Sequence, residues 1–317
     1  MSDTMSAIPR VASKTNAFER WLHQPAPAER LAGLRIAIGA FVTIYLLANV
    51  REVVLVSRQP EQAFDPIGIA RLLNAPLPST WLWIGYGLAL VSGVLFTAGA
   101  LVRWSGPIFA LVVLGWTSLH SSWGQTLHFE HLFSLHLLIL ALAPTADAWS
   151  ITSSSKTKTA AQTPDVRYGW PIRLLTIATA ITYVLSGIAK LRLSGGDWFV
   201  ADTLANHIGY SASRMQFIGG PTPPLASVAL QASWLLPVVA AAVLVTELGA
   251  PFALAGRRWR NGWVTMAVIF HLGTAATMWV FFGYRGLGIG LLPLFAVEKL
   301  PAHLARLTHR VKPRRTV

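Results

Sequence analysis

The sequence predicts an all-α, polytopic transmembrane helix bundle of about eight spans with both termini in the cytoplasm. Three observations support this fold class. The chain of 317 residues is 53% hydrophobic and only 12% charged, with a mean hydropathy of +0.51. Several of its runs reach the roughly 20 apolar residues that a hydrocarbon core demands. Loops rich in Lys and Arg alternate along the chain with loops poor in them, as the positive-inside rule requires.

The apolar runs define the spans in order. We place them near residues 32–52, 80–101, 104–120, 129–145, 171–190, 230–256, 263–281 and 285–297. Before the first span, residues 16–30 predict a short interfacial helix followed by a Pro-containing linker. Residues 151–170 form a polar loop with a low-complexity patch, whereas residues 57–79 and 191–229 predict ordered caps. The predicted organisation is an N-terminal cytoplasmic segment (1–31), a transmembrane domain (32–297) and a basic cytoplasmic tail (298–317).

The distribution of basic residues orients the bundle in a cytoplasmic (inner) membrane. With the N-terminus inside, the cytoplasmic segments hold 18 Lys and Arg residues and the outer loops hold 5. The outer five are Arg58, Arg71, Arg192, Arg214 and Arg285. This assignment puts Lys190 at the outer end of the fifth span. Arg35 and the Arg51–Glu52 pair are predicted to be interface anchors.

Composition also excludes several function classes. The formal net charge of +13 is dispersed among loops and tail, with no basic–aromatic platform, so nucleic acid is not a predicted partner. Cysteine is absent, which excludes disulfides and thiolate metal sites. The sequence shows no Gly-rich phosphate loop, no GxSxG elbow and no cleavable signal. The predicted partner is therefore the lipid bilayer, and the oligomeric state stays open.

Lys190 is the residue most indicative of chemistry. It stands near the end of an apolar helix in the run TYVLSGIAKLRLSGGDW, whereas the other five lysines lie in polar stretches. A desolvated lysine can act as a base or nucleophile, because a low dielectric disfavours the ammonium form. A snorkelling lysine at a membrane interface is the alternative.

A histidine-rich segment, WGQTLHFEHLFSLH, opens the fourth span at the same predicted depth. It contributes His128, Glu130, His131 and His136 as candidate site residues. Such a group can tune a base or orient a substrate. The spacing matches neither HExxH nor the desaturase-type histidine boxes, so we predict no metal site. An interfacial polar cluster is the alternative.

Two further ionisable residues, Glu247 and His271, interrupt apolar runs deep in predicted spans. An ionisable group at mid-span is costly unless it faces the bundle interior, so both are candidate site residues, with His136 the expected third member by depth. Pro251 lacks an N–H and predicts a kink beside Glu247. A purely structural polar link between helices is the alternative.

Three blocks resemble a known family: ERLAGLRIAIGAF in span one, HFEHLFSLHLLILALAPTADAWSI in span four and YVLSGIAKLRLSGGDWFVADTLANHI in span five. They are similar to the HTTM family, the transmembrane domain shared with vitamin K-dependent γ-carboxylase, over most of residues 18–297. The block GIAKL…DW is the most specific part. The resemblance implies that Lys190 is the catalytic base, that His128 is a second catalytic residue and that Trp198 belongs to the site.

The resemblance further implies a reduced, vitamin K-like quinone as cofactor, with a peptide or the quinone as substrate. In that chemistry a neutral lysine deprotonates the quinol, oxygen adds, and the resulting strong base removes a proton from glutamate before CO2 enters. The implied enzyme class is carboxylase-like or a quinol-dependent lyase or oxidoreductase, and the absence of a region like the large luminal one of the carboxylase argues against glutamate carboxylation. Two alternatives stay open: a non-enzymatic accessory protein for peptide-toxin maturation, export or immunity, and a proton-coupled transporter built on Glu247 and His271.

Overall fold

The computed structural model describes residues 16–124, 129–152 and 163–300, and this part of the chain is all-helical. Its α-helices are α1 (Ala17–Leu22), α2 (Ala28–Ala48), α3 (Arg51–Ser57), α4 (Ser79–Ala98), α5 (Val102–His120), α6 (Phe129–Ala141), α7 (Val166–Ser194), α8 (Ala201–Phe217), α9 (Ala226–Gln231), α10 (Leu236–Leu248), α11 (Arg257–Met278) and α12 (Gly283–Gly286). Short 3-10 turns connect several of them. The predicted interfacial helix is α1, which a capping box between Asn16 and Glu19 closes at its N-terminus.

Four described helices are long and apolar enough to cross a membrane: α2, α4, α5 and α7. Two others, α6 and α10, are apolar but only 13 residues long. The predicted span 230–256 is therefore shorter than expected. Its helix stops at Leu248 and a 3-10 turn, Ala250–Leu254, follows. Pro251 lies in that turn, so the proline accompanies a helix end rather than the predicted kink.

The predicted last span, 285–297, is not a continuous helix. One turn, α12, is followed by 3-10 turns at Ile289–Leu294 and Val297–Lys299. Gly288 has a φ of +78°, a conformation that ends a right-handed helix, and Pro293 lacks the N–H that an α-helix would use. An apolar run of this length is compatible with either structure, and the glycine and the proline decide between them.

Helix α7 connects two apolar cores. Its first half packs with α2, α4, α5 and α6 around residues such as Phe109, Leu132 and Tyr168. Its second half contributes Tyr183 to a smaller core that contains Trp263 of α11. The C-terminal half of α7 packs against α10, and its Tyr183 contacts Trp263 and His271 of α11, where the candidate site lies.

Arg35 is not the interface anchor that the sequence predicted. It is fully buried, and its guanidinium donates to the carbonyls of Thr145 and Trp149, each at 2.5 Å. These bonds attach the segment after α6 to the middle of the first core. Arg35 is buried here because the carbonyls that follow α6 lack helical N–H donors, and its guanidinium donates to them instead.

Candidate functional site

One face of α7 positions the site. Tyr183, Gly187 and Lys190 follow one another at helical spacings of four and three, so their side chains share that face. Gly187 allows a close approach of α10, since a Cβ built there would lie 3.2 Å from the Glu247 Cβ. The face continues to the end of α7, where Gly195, with a φ of +54°, starts the turn that contains Trp198.

Lys190 pairs with Glu247. Its Nζ donates to Glu247 Oε1 at 2.6 Å and lies 5.4 Å from the centre of the Trp198 ring. Glu247 is 2% exposed, whereas the Lys190 side chain is 24% exposed. Trp198 is held in place by a hydrogen bond from its Nε1 to the carbonyl of Ala240 at 3.1 Å.

This pairing changes what the sequence indicated about Lys190. The sequence predicted an isolated amine that burial alone would deprotonate, but the amine has a buried carboxylate as its partner. The pair can exist as an ammonium with a carboxylate or as a neutral amine with a carboxylic acid. Both forms hold the same number of protons. Low dielectric favours the second form and the mutual Coulombic attraction favours the first. Lys190 is therefore one member of a buried ion pair rather than an isolated amine.

An apolar cavity of about 500 Å³ adjoins this pair. Lys190 and Trp198 lie on its wall, and its other lining residues are apolar apart from three threonines and come from α8, α9, α10, α11 and the segment after α11. This volume falls within the range of small-molecule sites. A lipid-soluble ring fits the donor set, because one amine is presented within apolar and aromatic walls.

Glu247 and His271 both face the interior, as predicted, but each has its own partner. His271 is 2% exposed, and its Nε2 lies 2.7 Å from the hydroxyl of Tyr183. His136 is fully buried against the hydroxyl of Tyr284, with Nδ1 at 2.6 Å. The three predicted members therefore do not form one cluster in the described residues. Two tyrosines separate them, one on α7 and one on α12.

Arg285 lies among these pairs. The sequence placed it in an outer loop, but it is 5% exposed, with its guanidinium 5.0 Å from the centre of the Tyr183 ring. It interacts electrostatically with Glu247, His271 and His136. Arg285 therefore no longer counts among the five basic residues assigned to the outer loops, because it belongs to the bundle interior.

Glu130 belongs to a separate polar cluster. It is fully buried, and its Oε1 accepts from the hydroxyl of Tyr45 at 2.6 Å. The ring of His120 lies 3.4 Å from this oxygen and, through its other nitrogen, 3.4 Å from Glu52. Glu52 is thus part of a polar cluster rather than an anchor. His131 is exposed, and His128 lies outside the described residues, so its predicted proximity to Lys190 stays a prediction.

Sequence reasoning missed Tyr45, His120, Tyr183, Tyr284 and Arg285, which supply most of the polar partners in both clusters. One signal was available for Tyr183, which precedes Lys190 by seven residues and so shares its helix face. Arg285 stands between two apolar runs, which is the pattern that also singled out Glu247.

Comparison with known proteins gives one match. A family model described as the HTTM domain matches residues 23–296, which is most of the chain. No curated protein and no solved structure matches. The family and the apolar helices together indicate a multi-pass membrane protein.

Proposed function

From the premise that the chain belongs to the HTTM family, we propose that it is an enzyme of the cytoplasmic membrane that removes a proton from a lipid-soluble hydroxyl compound, with Lys190 as the base. The observation that supports this most is that Lys190, which is paired with Glu247, lies on the wall of a 500 Å³ apolar cavity. A reduced, vitamin K-like quinone bound there would supply the acidic hydroxyl and the electrons for reaction with dioxygen. The proposed topology is the one predicted above, with both termini cytoplasmic.

The pair performs the proton transfer in a simple way. When the proton of the pair is on Glu247, the Lys190 amine is neutral. Its free lone pair then accepts the hydroxyl proton of the substrate. The O–H bond breaks, an N–H bond forms, and the new ammonium stays beside Glu247. Glu247 then releases its own proton to water and takes the extra proton from the ammonium, which restores the amine and the carboxylic acid. Trp198, 5.4 Å from Nζ, stabilises the ammonium through its ring face. The apolar walls exclude water, which would compete for this proton.

The test uses a charge-conserving substitution. Lys190→Arg keeps a cation that can pair with Glu247 but cannot lose its proton. In purified protein in nanodiscs, oxygen consumption that depends on reduced naphthoquinone should fall by roughly 10²–10⁴-fold in this variant. The matched control is Lys299→Arg, at an exposed lysine, which should leave the rate unchanged. His128→Ala should weaken the rate less than Lys190→Arg.

Two results would overturn the proposal. One is a wild-type protein that consumes no oxygen with reduced naphthoquinone. The other is full activity in Lys190→Arg, which would leave Lys190 as a structural cation and favour the accessory-protein alternative. Expression level and thermal unfolding midpoint of each variant separate a loss of chemistry from a loss of fold.

A further inference from the structure

We propose that Arg285 binds a small monovalent oxyanion, a ligand that the proposed function does not include. The inference goes beyond that function and does not depend on Lys190 being a base. It rests on three observations about the interior around α7, α10, α11 and α12: an uncompensated charge, unpartnered polar atoms and an adjoining cavity.

The first observation is a charge count. Lys190 and Glu247 form a pair and cancel formally. Arg285 adds a second cation that is 5% exposed, and no carboxylate of the described residues lies within 4.0 Å of it. Glu247 interacts with it electrostatically but is already committed to Lys190. With histidines counted as neutral, this interior carries one uncompensated positive charge, which an apolar surrounding penalises strongly.

The protein itself has little to offer as a counter-charge. Outside the described residues the sequence contains a single acidic side chain, Asp3. The Arg285 guanidinium lies over the face of the Tyr183 ring, 5.0 Å from its centre. A cation–π contact is weaker than an ion pair with hydrogen bonds, so it offsets only part of the burial penalty.

The second observation concerns polar atoms without partners. Arg285 Nε and His271 Nδ1 are each buried and lack a hydrogen-bond partner; Glu247 Oε2 also lacks one, but it is an acceptor and cannot hold an anion. Their side chains interact electrostatically with one another through Arg285. Buried polar atoms in folded proteins are nearly always hydrogen-bonded. An oxyanion can accept from the guanidinium and from His271 Nδ1–H, the tautomer in which Nε2 accepts from Tyr183.

The third observation is the proximity of the cavity. Phe270 and Phe282 line the 500 Å³ cavity, and their rings contact the His271 ring at centre distances of 5.0 and 5.5 Å. Arg285 donates its backbone N–H to the carbonyl of Phe282 at 3.0 Å, so it lies one turn beyond the cavity lining. The planar fork of a guanidinium matches the two oxygens of a carboxylate or a bicarbonate, which selects this shape over a spherical halide.

The experiment measures anion-dependent stability of the full chain in nanodiscs. Thermal unfolding is followed with sodium benzoate, sodium bicarbonate or sodium chloride at equal ionic strength, and with benzamide as the neutral analogue of benzoate. We expect one of the two oxyanions to raise the midpoint above the chloride value, with benzamide having no effect. A benzoate response identifies an organic carboxylate as the ligand, and a bicarbonate response identifies dissolved carbonate.

Substitutions locate the effect. Arg285→Gln should weaken the apparent affinity for the oxyanion by about 30-fold or more, because it removes the buried charge. Arg214→Gln, at an exposed arginine, is the matched control and should respond like the wild type. Arg285→Lys keeps the charge without the fork and should retain a reduced response, which covers the case in which Arg285→Gln does not fold.

Three outcomes would overturn the proposal: equal stabilisation by chloride and the oxyanions, an unchanged response in Arg285→Gln, or an oxyanion response that the Asp3→Asn variant shows and the wild type does not. The last would mean that the chain supplies its own anion. None of these outcomes depends on turnover, so a failure here is distinguishable from a failure of the base role of Lys190.

Discussion

Lys190 and Glu247 form one short ion-paired contact, and its strength can be measured apart from any activity. The carboxylate is buried and the amine is half-buried, so neither group is fully solvated when its partner is removed. Each single substitution therefore reports a loss that includes the burial of the group left behind. Only the coupling between the two positions reports the pair itself.

We expect a double-mutant cycle with Lys190→Met and Glu247→Gln to give a coupling free energy of about 1–3 kcal/mol. The measurement is the free energy of unfolding of the four proteins in one detergent. The control cycle combines Lys190→Met with Glu298→Gln, an ion-paired glutamate for which no contact with Lys190 is seen, and should give at most about 0.5 kcal/mol. Equal couplings in both cycles would contradict the contact.

A second ion pair, Arg30 with Glu298, joins the start of α2 to the end of the described chain. Both guanidinium contacts are short, at 2.9 and 2.7 Å. Burial alone would raise the pKa of Glu298. Hydrogen bonds from Arg30 and a backbone N–H, with the charge of Arg30, outweigh this and bring the pKa below its ordinary value of 4.5.

The sign of the pH effect follows from this lowered pKa. As the pH falls, Glu298 binds a proton in the unfolded chain before it does so in the folded one. The contribution of the ion pair to stability is therefore complete above the ordinary pKa of 4.5. It is lost as the pH drops from that value through the pKa of the folded state. We expect Glu298→Gln to flatten the fall of the unfolding midpoint in this acidic window. Parallel curves for the variant and the wild type would show that the pair adds nothing.

Helices α7 and α10 approach closely because Gly187 has no side chain. A Cβ at this position would lie 2.8 Å from Leu248 Cδ2 and 3.2 Å from Glu247 Cβ. The Leu248 side chain can rotate away, but the Cβ of Glu247 can move only with its helix. The Lys190–Glu247 distance therefore depends on a glycine three residues before the lysine.

We expect Gly187→Ala to lower the free energy of unfolding by about 1 kcal/mol, despite the better helix propensity of alanine. The matched control is Gly209→Ala in α8, where a new Cβ would meet nothing within 4 Å. That change should stabilise by about 0.5–1 kcal/mol. The same denaturant titration measures both, and a stabilising Gly187→Ala would show that α10 shifts without cost.

The sequence was sufficient for the helical class and for the burial of Glu247 and His271. It could not pair Lys190 with Glu247, because the two are 57 residues apart on helices whose contact depends on packing. It also misplaced Arg285, since a positive residue beside an apolar run looks like an interface residue under the positive-inside rule. The apolar runs on both sides of Arg285 were a signal for burial, but its position beside Tyr183 depends on tertiary packing.

The orientation of the whole bundle is still a prediction, and the absence of cysteine makes it directly testable. Single cysteines at Gln59, Ser213 and Ala255, all exposed positions, provide reporters on a cysteine-free background. In intact cells an impermeant maleimide should label Gln59→Cys and Ser213→Cys but not Ala255→Cys. Ala255→Cys should react only after permeabilisation. Labelling of Ala255→Cys in intact cells would invert the predicted topology.

The position of the apolar cavity beside Lys190 also determines from where the proposed ligand would enter it. Several residues on its wall are exposed on the outer surface of the helices, among them Val239, Met266 and Ile269 at 45%, 38% and 64% exposure. In a bilayer these side chains meet acyl chains rather than water. The concentration that governs occupancy is then the mole fraction of ligand in the membrane. Diluting a fixed amount of ligand with extra lipid should therefore lower the rate of turnover even when its amount per volume of buffer stays constant.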